Sequence, residues 1–204
     1  SIRLRGGSLQ RLRARAAATT MMAEGEVQQL VSTCDLDLSE ESYIDVVRNK
    51  TAVLIAAACQ VGGVLGEVDE EREQALHDFG MDLGIAFQFM DDALDYVADQ
   101  AEFGKAKGHD LEEGKVTLPL IHALRHGGEE ERERLTEIVE LETLSDEDLA
   151  YVVGLIERYD GIGYTRKRAR ELVERAKLKL AVFPDGPVKT ALMELSDYAV
   201  SRRK

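Results

Sequence analysis

The segment Gly84-Ile85-Ala86-Phe87-Gln88-Phe89-Met90-Asp91-Asp92-Ala93-Leu94-Asp95-Tyr96 is the centre of a chain that reads as all-α. On a helix, Asp91 and Asp95 stand four apart, and Asp92 and Asp95 three apart. All three therefore project from neighbouring turns, with Gln88 one turn earlier on the same face. Like charges at this spacing cost about a few tenths of a kcal/mol per pair unless a cation neutralises them. Clustered carboxylate oxygens suit Mg²⁺, which keeps some of its waters and bridges to substrate phosphates. Acids set among Ile85, Ala86, Phe87, Phe89, Met90 and Leu94 are costly to desolvate unless they do chemistry. With 16 aspartates in the chain, the spacing alone fits a solvated acidic helix as readily as a metal site.

Outward from this segment the pattern stays helical. A first helix is expected over about 8–33, and Asp35-Leu36-Asp37 turns the chain. A second helix starts at Asp37 or Ser39, where Glu40 and Glu41 suit the positive end of its dipole, and stops near Gly62-Gly63. Asp69-Glu70-Glu71 opens the long helix that carries the aspartates to about Asp99. Residues 100–116 read as a charged loop punctuated by Gly104, Gly108 and Gly114. Further helices are expected at about 117–127, 129–141, 145–158, 161–182 and 187–202. Ser145 with Asp148 resembles a capping box, and Pro187 fits a first helical position. With neither a repeat nor an evident linker, residues 1–204 read as one all-α domain.

Composition agrees. The chain has 204 residues, only 3 prolines, no tryptophan and 44% hydrophobic residues, enough for one domain with a substantial core. Its formal net charge of −13 argues against nucleic acid as a partner, because phosphate backbones recruit basic surfaces. An anionic substrate would need local lysines or bridging metal. Cys34 and Cys59 lack ligand-spaced neighbours and read as buried thiols of a reducing cytoplasm. No apolar run is long enough to span a membrane. Five arginines without an acid in the first twenty residues superficially resemble a transit peptide. Leu9, Leu12, Ala16 and Ala23 nevertheless continue with helical spacing into Glu24-Gly25-Glu26, which makes this stretch a domain helix.

Two lysine segments accompany the aspartates. Gly104-Lys105-Ala106-Lys107-Gly108 leads through His109-Asp110-Leu111-Glu112-Glu113-Gly114-Lys115 to Val116-Thr117-Leu118-Pro119. Lysines after glycines on such a loop suit a diphosphate, and equally an ordinary charged surface. In the second helix, Arg48-Asn49-Lys50-Thr51-Ala52 sets Lys50 and Thr51 into an apolar stretch. There Lys50 either snorkels at a helix edge or faces a polar cleft.

Four segments occur in order: Glu24-Gly25-Glu26 with Gln29-Leu30, Lys50-Thr51-Ala52, Gly84 to Tyr96, and Gly104-Lys105 through Pro119. Together they resemble the trans-isoprenyl (polyprenyl) diphosphate synthases, most of all the bacterial octaprenyl-type long-chain members, from about Ser8 to the C-terminus. The resemblance implies a helical bundle of the isoprenoid synthase type and a homodimer. It also implies Mg²⁺-dependent ionisation of an allylic diphosphate, attack by isopentenyl diphosphate and loss of a proton. Asp91 is then expected to ligate Mg²⁺, with Asp92 and Asp95 in support. Lys50, Lys105 and Lys115 would neutralise the allylic diphosphate, and Thr51 and Gln88 would steady the developing cation. Phe87 resembles the aromatic beside isopentenyl diphosphate, and Glu26 and Gln29 match cleft-facing positions. Ser201-Arg202-Arg203-Lys204 resembles the basic tail that closes over isopentenyl diphosphate, and equally reads as a cationic complement to a helix dipole.

One departure is large. Asp91-Asp92 is the only adjacent aspartate pair in the chain, so the first aspartate-rich motif of the family is absent, as are its Gly-Gly-Lys-Arg and Arg-Arg segments. The chain therefore reads as a family domain without its N-terminal helices, expected to be inactive alone and to expose apolar surface. The competing readings are a non-catalytic subunit of a heteromeric synthase and another class I terpenoid enzyme.

Overall fold

The computed structural model of the chain describes residues 2–97, 108–141 and 143–202, with side chains described at Ala16 and from Ala18 onward. Among these residues every regular element is helical. Helix α1 (Ile2–Val31) is followed by α2 (Glu40–Val47), a π-helical turn (Arg48–Ala52) and α3 (Val53–Leu65). Then come α4 (Glu70–Asp95), the short α5 (His109–Glu112), α6 (Leu118–His126), α7 (Glu129–Val139) and α8 (Asp146–Arg158). Helix α9 (Gly161–Lys179), a 3₁₀ turn (Leu180–Val182) and α10 (Pro187–Ser201) complete the bundle.

The helix starts follow local chemistry. Ser39 Oγ accepts the Ser42 N–H at 3.0 Å, and Asp69 Oδ1 accepts the Arg72 N–H at 2.9 Å. Ser145 and Asp148 bond reciprocally, and Pro187 occupies the first turn of α10. Each such cap contributes about 1 kcal/mol. Two expectations are corrected. The segment expected to be only loop contains α5, which begins at the left-handed Gly108 (φ 72°) and is tied to the end of α4. Cys34 is exposed, in a left-handed turn after α1, and Cys59 is half-buried.

Helix α4 is the axis of the bundle, packed between α3 and α9. Its Phe79, Phe89 and Met90 are buried, and burying a side chain of that size contributes about 1.5–3 kcal/mol. The approach to the α3 side is unusually close. A Cβ on Gly84 would lie 2.6 Å from Ala52 Cα, and one on Gly80 2.7 Å from Ala56 Cα, so only glycine admits this contact. On the other side Arg175 of α9 forks onto the buried Asp82 of α4, at 2.7 and 2.6 Å. Glu40, the first residue of α2, is buried rather than a solvated dipole partner. Its carboxylate accepts from Arg125 at 3.0 Å and Tyr164 at 2.8 Å and pairs with Arg168 at 2.7 Å.

Candidate active site

The close packing of α4 on the π-helical turn brings separate parts of the sequence to one cleft of about 280 Å³. Its walls come from α1, α2, the π turn, α4 and residues 110–117. A π turn inserts an extra residue into the helical path, and such turns occur preferentially at functional sites. Here it carries Lys50 and Thr51. A Cβ on Gly25 would lie 2.5 Å from the Lys50 backbone nitrogen, so α1 meets the π turn backbone to backbone. That contact lets Lys50 Nζ reach Gln29 Oε1 at 2.8 Å and Glu26 Oε2 at 2.9 Å.

Across the cleft, Thr51 Oγ1 donates to Gln88 Oε1 at 3.2 Å, and Gln88 Nε2 donates to Asp92 Oδ1 at 2.8 Å. Asp92 Oδ2 accepts the hydroxyl proton of Tyr43. Burial pushes Asp92 up to about 7, opposed by the hydrogen bond from Tyr43 and reinforced by Asp110. Burial likewise raises Asp95, with Asp110 adding to the effect, although Asp95 Oδ2 accepts the Asp110 N–H at 3.1 Å. Burial depresses Lys115, but its bonds to Glu113 and Asp110 outweigh that and hold it above its ordinary value, so it is cationic at neutral pH.

Asp91 and Asp95 stand one turn apart on α4, and Asp92 turns inward to Tyr43 and Gln88. Asp91 Oδ1 accepts from Arg202, whose guanidinium lies 4.0 Å over the Phe87 ring and donates to Phe87 O at 3.0 Å. Among the described residues no three His, Cys, Asp or Glu side chains gather into a site that holds a metal unaided. Asp91 and Asp95 still fit Mg²⁺, because that ion is commonly bound through one or two carboxylates plus phosphates of a substrate. The cleft thus sets lysine cations beside a hydroxyl–amide–carboxylate chain, with Asp91 and Asp95 on the same helix.

The sequence pattern of the polyprenyl synthetases matches residues 4–156. The chain belongs to the polyprenyl synthetase family. It is 41% identical over 196 residues to the octaprenyl diphosphate synthase of Escherichia coli (strain K12), covering 96% of this chain and 60% of that protein. A decaprenyl diphosphate synthase from Rhodobacter capsulatus superposes with a TM-score of 0.89 at 39% identity, over 96% of this chain and 60% of that one. A polyprenyl synthase from Caulobacter crescentus CB15, complexed with calcium and isoprenyl diphosphate, gives 0.90 at 39% identity with the same coverage. The chain therefore spans about 60% of the length of these relatives.

Of the residues expected in the site of this polyprenyl synthetase chain, Lys50, Thr51, Gln88, Asp92 and Lys115 line the cleft. Phe87, Asp91 and Arg202 meet at a neighbouring face of α4. Lys105, Arg203 and Lys204 lie outside the described residues. Two cleft residues are additional. Asp110 sits within a quoted motif, where only its lysines suggested chemistry, and it pairs with Lys115 at 2.9 Å. Tyr43 carries no motif signal, since a tyrosine at helical spacing reads as core.

Proposed function

We propose that this chain forms part of a prenyltransferase that joins isopentenyl diphosphate to an allylic diphosphate, making a long-chain polyprenyl diphosphate. The supporting observation is the meeting of Lys50 and Thr51 with Gln88 and Asp92 at one cleft, although 37 residues separate Thr51 from Gln88. The identity to an octaprenyl diphosphate synthase supports a long-chain product.

In this reading Lys50 exchanges Gln29 and Glu26 for phosphate oxygens, and Lys115 exchanges Asp110 and Glu113. Lys105 and Arg202 add positive charge, and Phe87 faces the isopentenyl diphosphate. Asp91 and Asp95, with Asp92 in support, would hold Mg²⁺, which would supply charge neutralisation for the departing diphosphate. The allylic C–O bond breaks and the electron pair leaves with the diphosphate. The isopentenyl double bond attacks the allylic carbon, and loss of a proton restores an alkene. Thr51 and Gln88 offer oxygen dipoles to the transient positive charge, an electrostatic contribution of the kind that dominates such catalysis.

Residues 1–204 serve as one all-α unit of that enzyme. No described helix is long and apolar enough to cross a membrane, and we place the enzyme in the cytoplasm. The exposed Val27, Leu30 and Val31 on α1 favour a second subunit on that helix, in a homodimer.

Calorimetric titration of the full-length protein with an allylic bisphosphonate tests the reading. Binding is expected to require Mg²⁺ and to weaken about tenfold or more in Lys50→Gln, the loss of one charged hydrogen bond. Binding that ignores both Mg²⁺ and Lys50, or no binding at all, would contradict it.

A further inference from the structure

Thr51, Gln88, Asp92 and Tyr43 form a hydrogen-bonded chain along the cleft wall that ends at a buried phenol. Its direction is set by chemistry. A carboxylate only accepts, a side-chain amide donates from nitrogen and accepts at oxygen, and a hydroxyl does either. Asp92 takes Tyr43 on Oδ2 and Gln88 Nε2 on Oδ1, so the Gln88 oxygen must face Thr51. The single Thr51 proton is then committed to Gln88, and the remaining lone pairs of Oγ1 are left for the cleft that Thr51 lines. While Asp92 is ionised, a flipped Gln88 would set its oxygen against the carboxylate with no proton between two acceptors.

This direction depends on Asp92 staying in place. Tyr43 is 5% exposed and Asp92 2%, so bulk water does not replace the phenol. Without that hydroxyl, Oδ2 would be left without its donor, a costly state that favours turning the carboxylate toward the cleft. Tyr43 cannot drift to follow it. Its ring stacks on Phe89 at a centroid distance of 5.8 Å. One turn earlier, Glu40 is clamped by Arg125, Tyr164 and Arg168.

We propose that Tyr43 is a positioning residue for prenyl transfer: it pins Asp92, which gives Gln88 and Thr51 one hydrogen-bond direction and presents oxygen lone pairs, rather than a proton, to the developing allylic cation. This rests on reading the cleft as the allylic site. Removing the phenol oxygen lowers kcat and leaves binding nearly unchanged, because the ground-state substrate carries no positive charge at that carbon.

Tyr43→Phe in the full-length protein is the test. The expected result is a kcat about tenfold lower, with KM for both substrates within about twofold of wild type. In a Thr51→Val background the same change is expected to cost less than about twofold, because the two act through one chain. The side-chain amide ¹⁵N–¹H signals of Gln88, recorded without metal or substrate, are expected to shift or broaden in Tyr43→Phe. If Tyr43→Phe does not fold, Asp92→Asn keeps the shape and frees the amide direction, and it is expected to move the same Gln88 amide signals, read without metal or substrate. Unchanged kcat and amide signals in the variant, or a full kcat loss persisting in Thr51→Val, would overturn the proposal while wild-type turnover leaves the functional reading intact. A wild-type protein without prenyl transfer would overturn both.

Discussion

Arg202, which caps the C-terminal end of α10, donates to the carboxylate of Asp91 and lies over the Phe87 ring. This contact joins the C-terminal helix to the helix of the aspartates, and it sets a guanidinium on an oxygen assigned to the metal. Arg202→Gln is expected to tighten Mg²⁺ binding about threefold or more, because a competing cation is removed from Asp91. The same variant is expected to raise KM for isopentenyl diphosphate. Titration with Mg²⁺ and steady-state kinetics check the two effects separately, and weaker metal binding would refute the competition.

Asp92 makes stability depend on pH. Its folded value of about 7 lies above the ordinary carboxylate range because of burial. Between about pH 4 and that value the folded chain keeps a proton that the unfolded chain releases, so stability falls as pH rises through this window. Asp92→Asn removes the titration. In metal-free buffer the variant is expected to gain on wild type across the window, by about 1–4 kcal/mol at pH 8. Urea unfolding at pH 5 and pH 8 measures the change.

Gly84→Ala is expected to destabilise the fold by about 1–3 kcal/mol. The added methyl would lie 2.6 Å from Ala52 Cα and 2.9 Å from its Cβ, so the π turn must move off α4. Because that turn carries Thr51 and Lys50, kcat/KM should fall more than the stability loss alone explains. Thermal unfolding beside kinetics at a temperature where the variant stays folded separates the two.

Arg175→Met leaves Asp82 buried without its fork of two hydrogen bonds. The expected loss is about 1–3 kcal/mol, discounted because the Arg175 side chain is itself largely exposed. Pairing it with Asp82→Leu should recover part of that loss, which a double-mutant cycle by chemical denaturation would show.

The helical class and most boundaries could be read from sequence because their causes are local. Ser39, Asp69, Ser145 and Pro187 act within one turn of their own positions. The cleft residues Lys50, Thr51, Gln88 and Lys115 stand out in the sequence because they sit in ordered motifs. What escaped depends on distant partners. Tyr43 reads as a core aromatic until α2 lies against Asp92, 49 positions away. Glu40 reads as a helix-start acid until Arg125 and Tyr164 close on it. The four residues of α5 are too few to show periodicity, and their order depends on the Asp95 carboxylate and carbonyl.

The proposed reaction is prenyl transfer at the cleft beside Asp91, Asp92 and Asp95. Incubating the full-length protein with labelled isopentenyl diphosphate, an allylic diphosphate and Mg²⁺ tests it most directly. Label is expected in a long-chain, acid-labile prenyl diphosphate. Loss of that product is expected on chelation, as is a fall of at least about a hundredfold in Asp91→Asn, the scale of losing transition-state charge stabilisation. No incorporation, or incorporation that survives both chelation and Asp91→Asn, would contradict it.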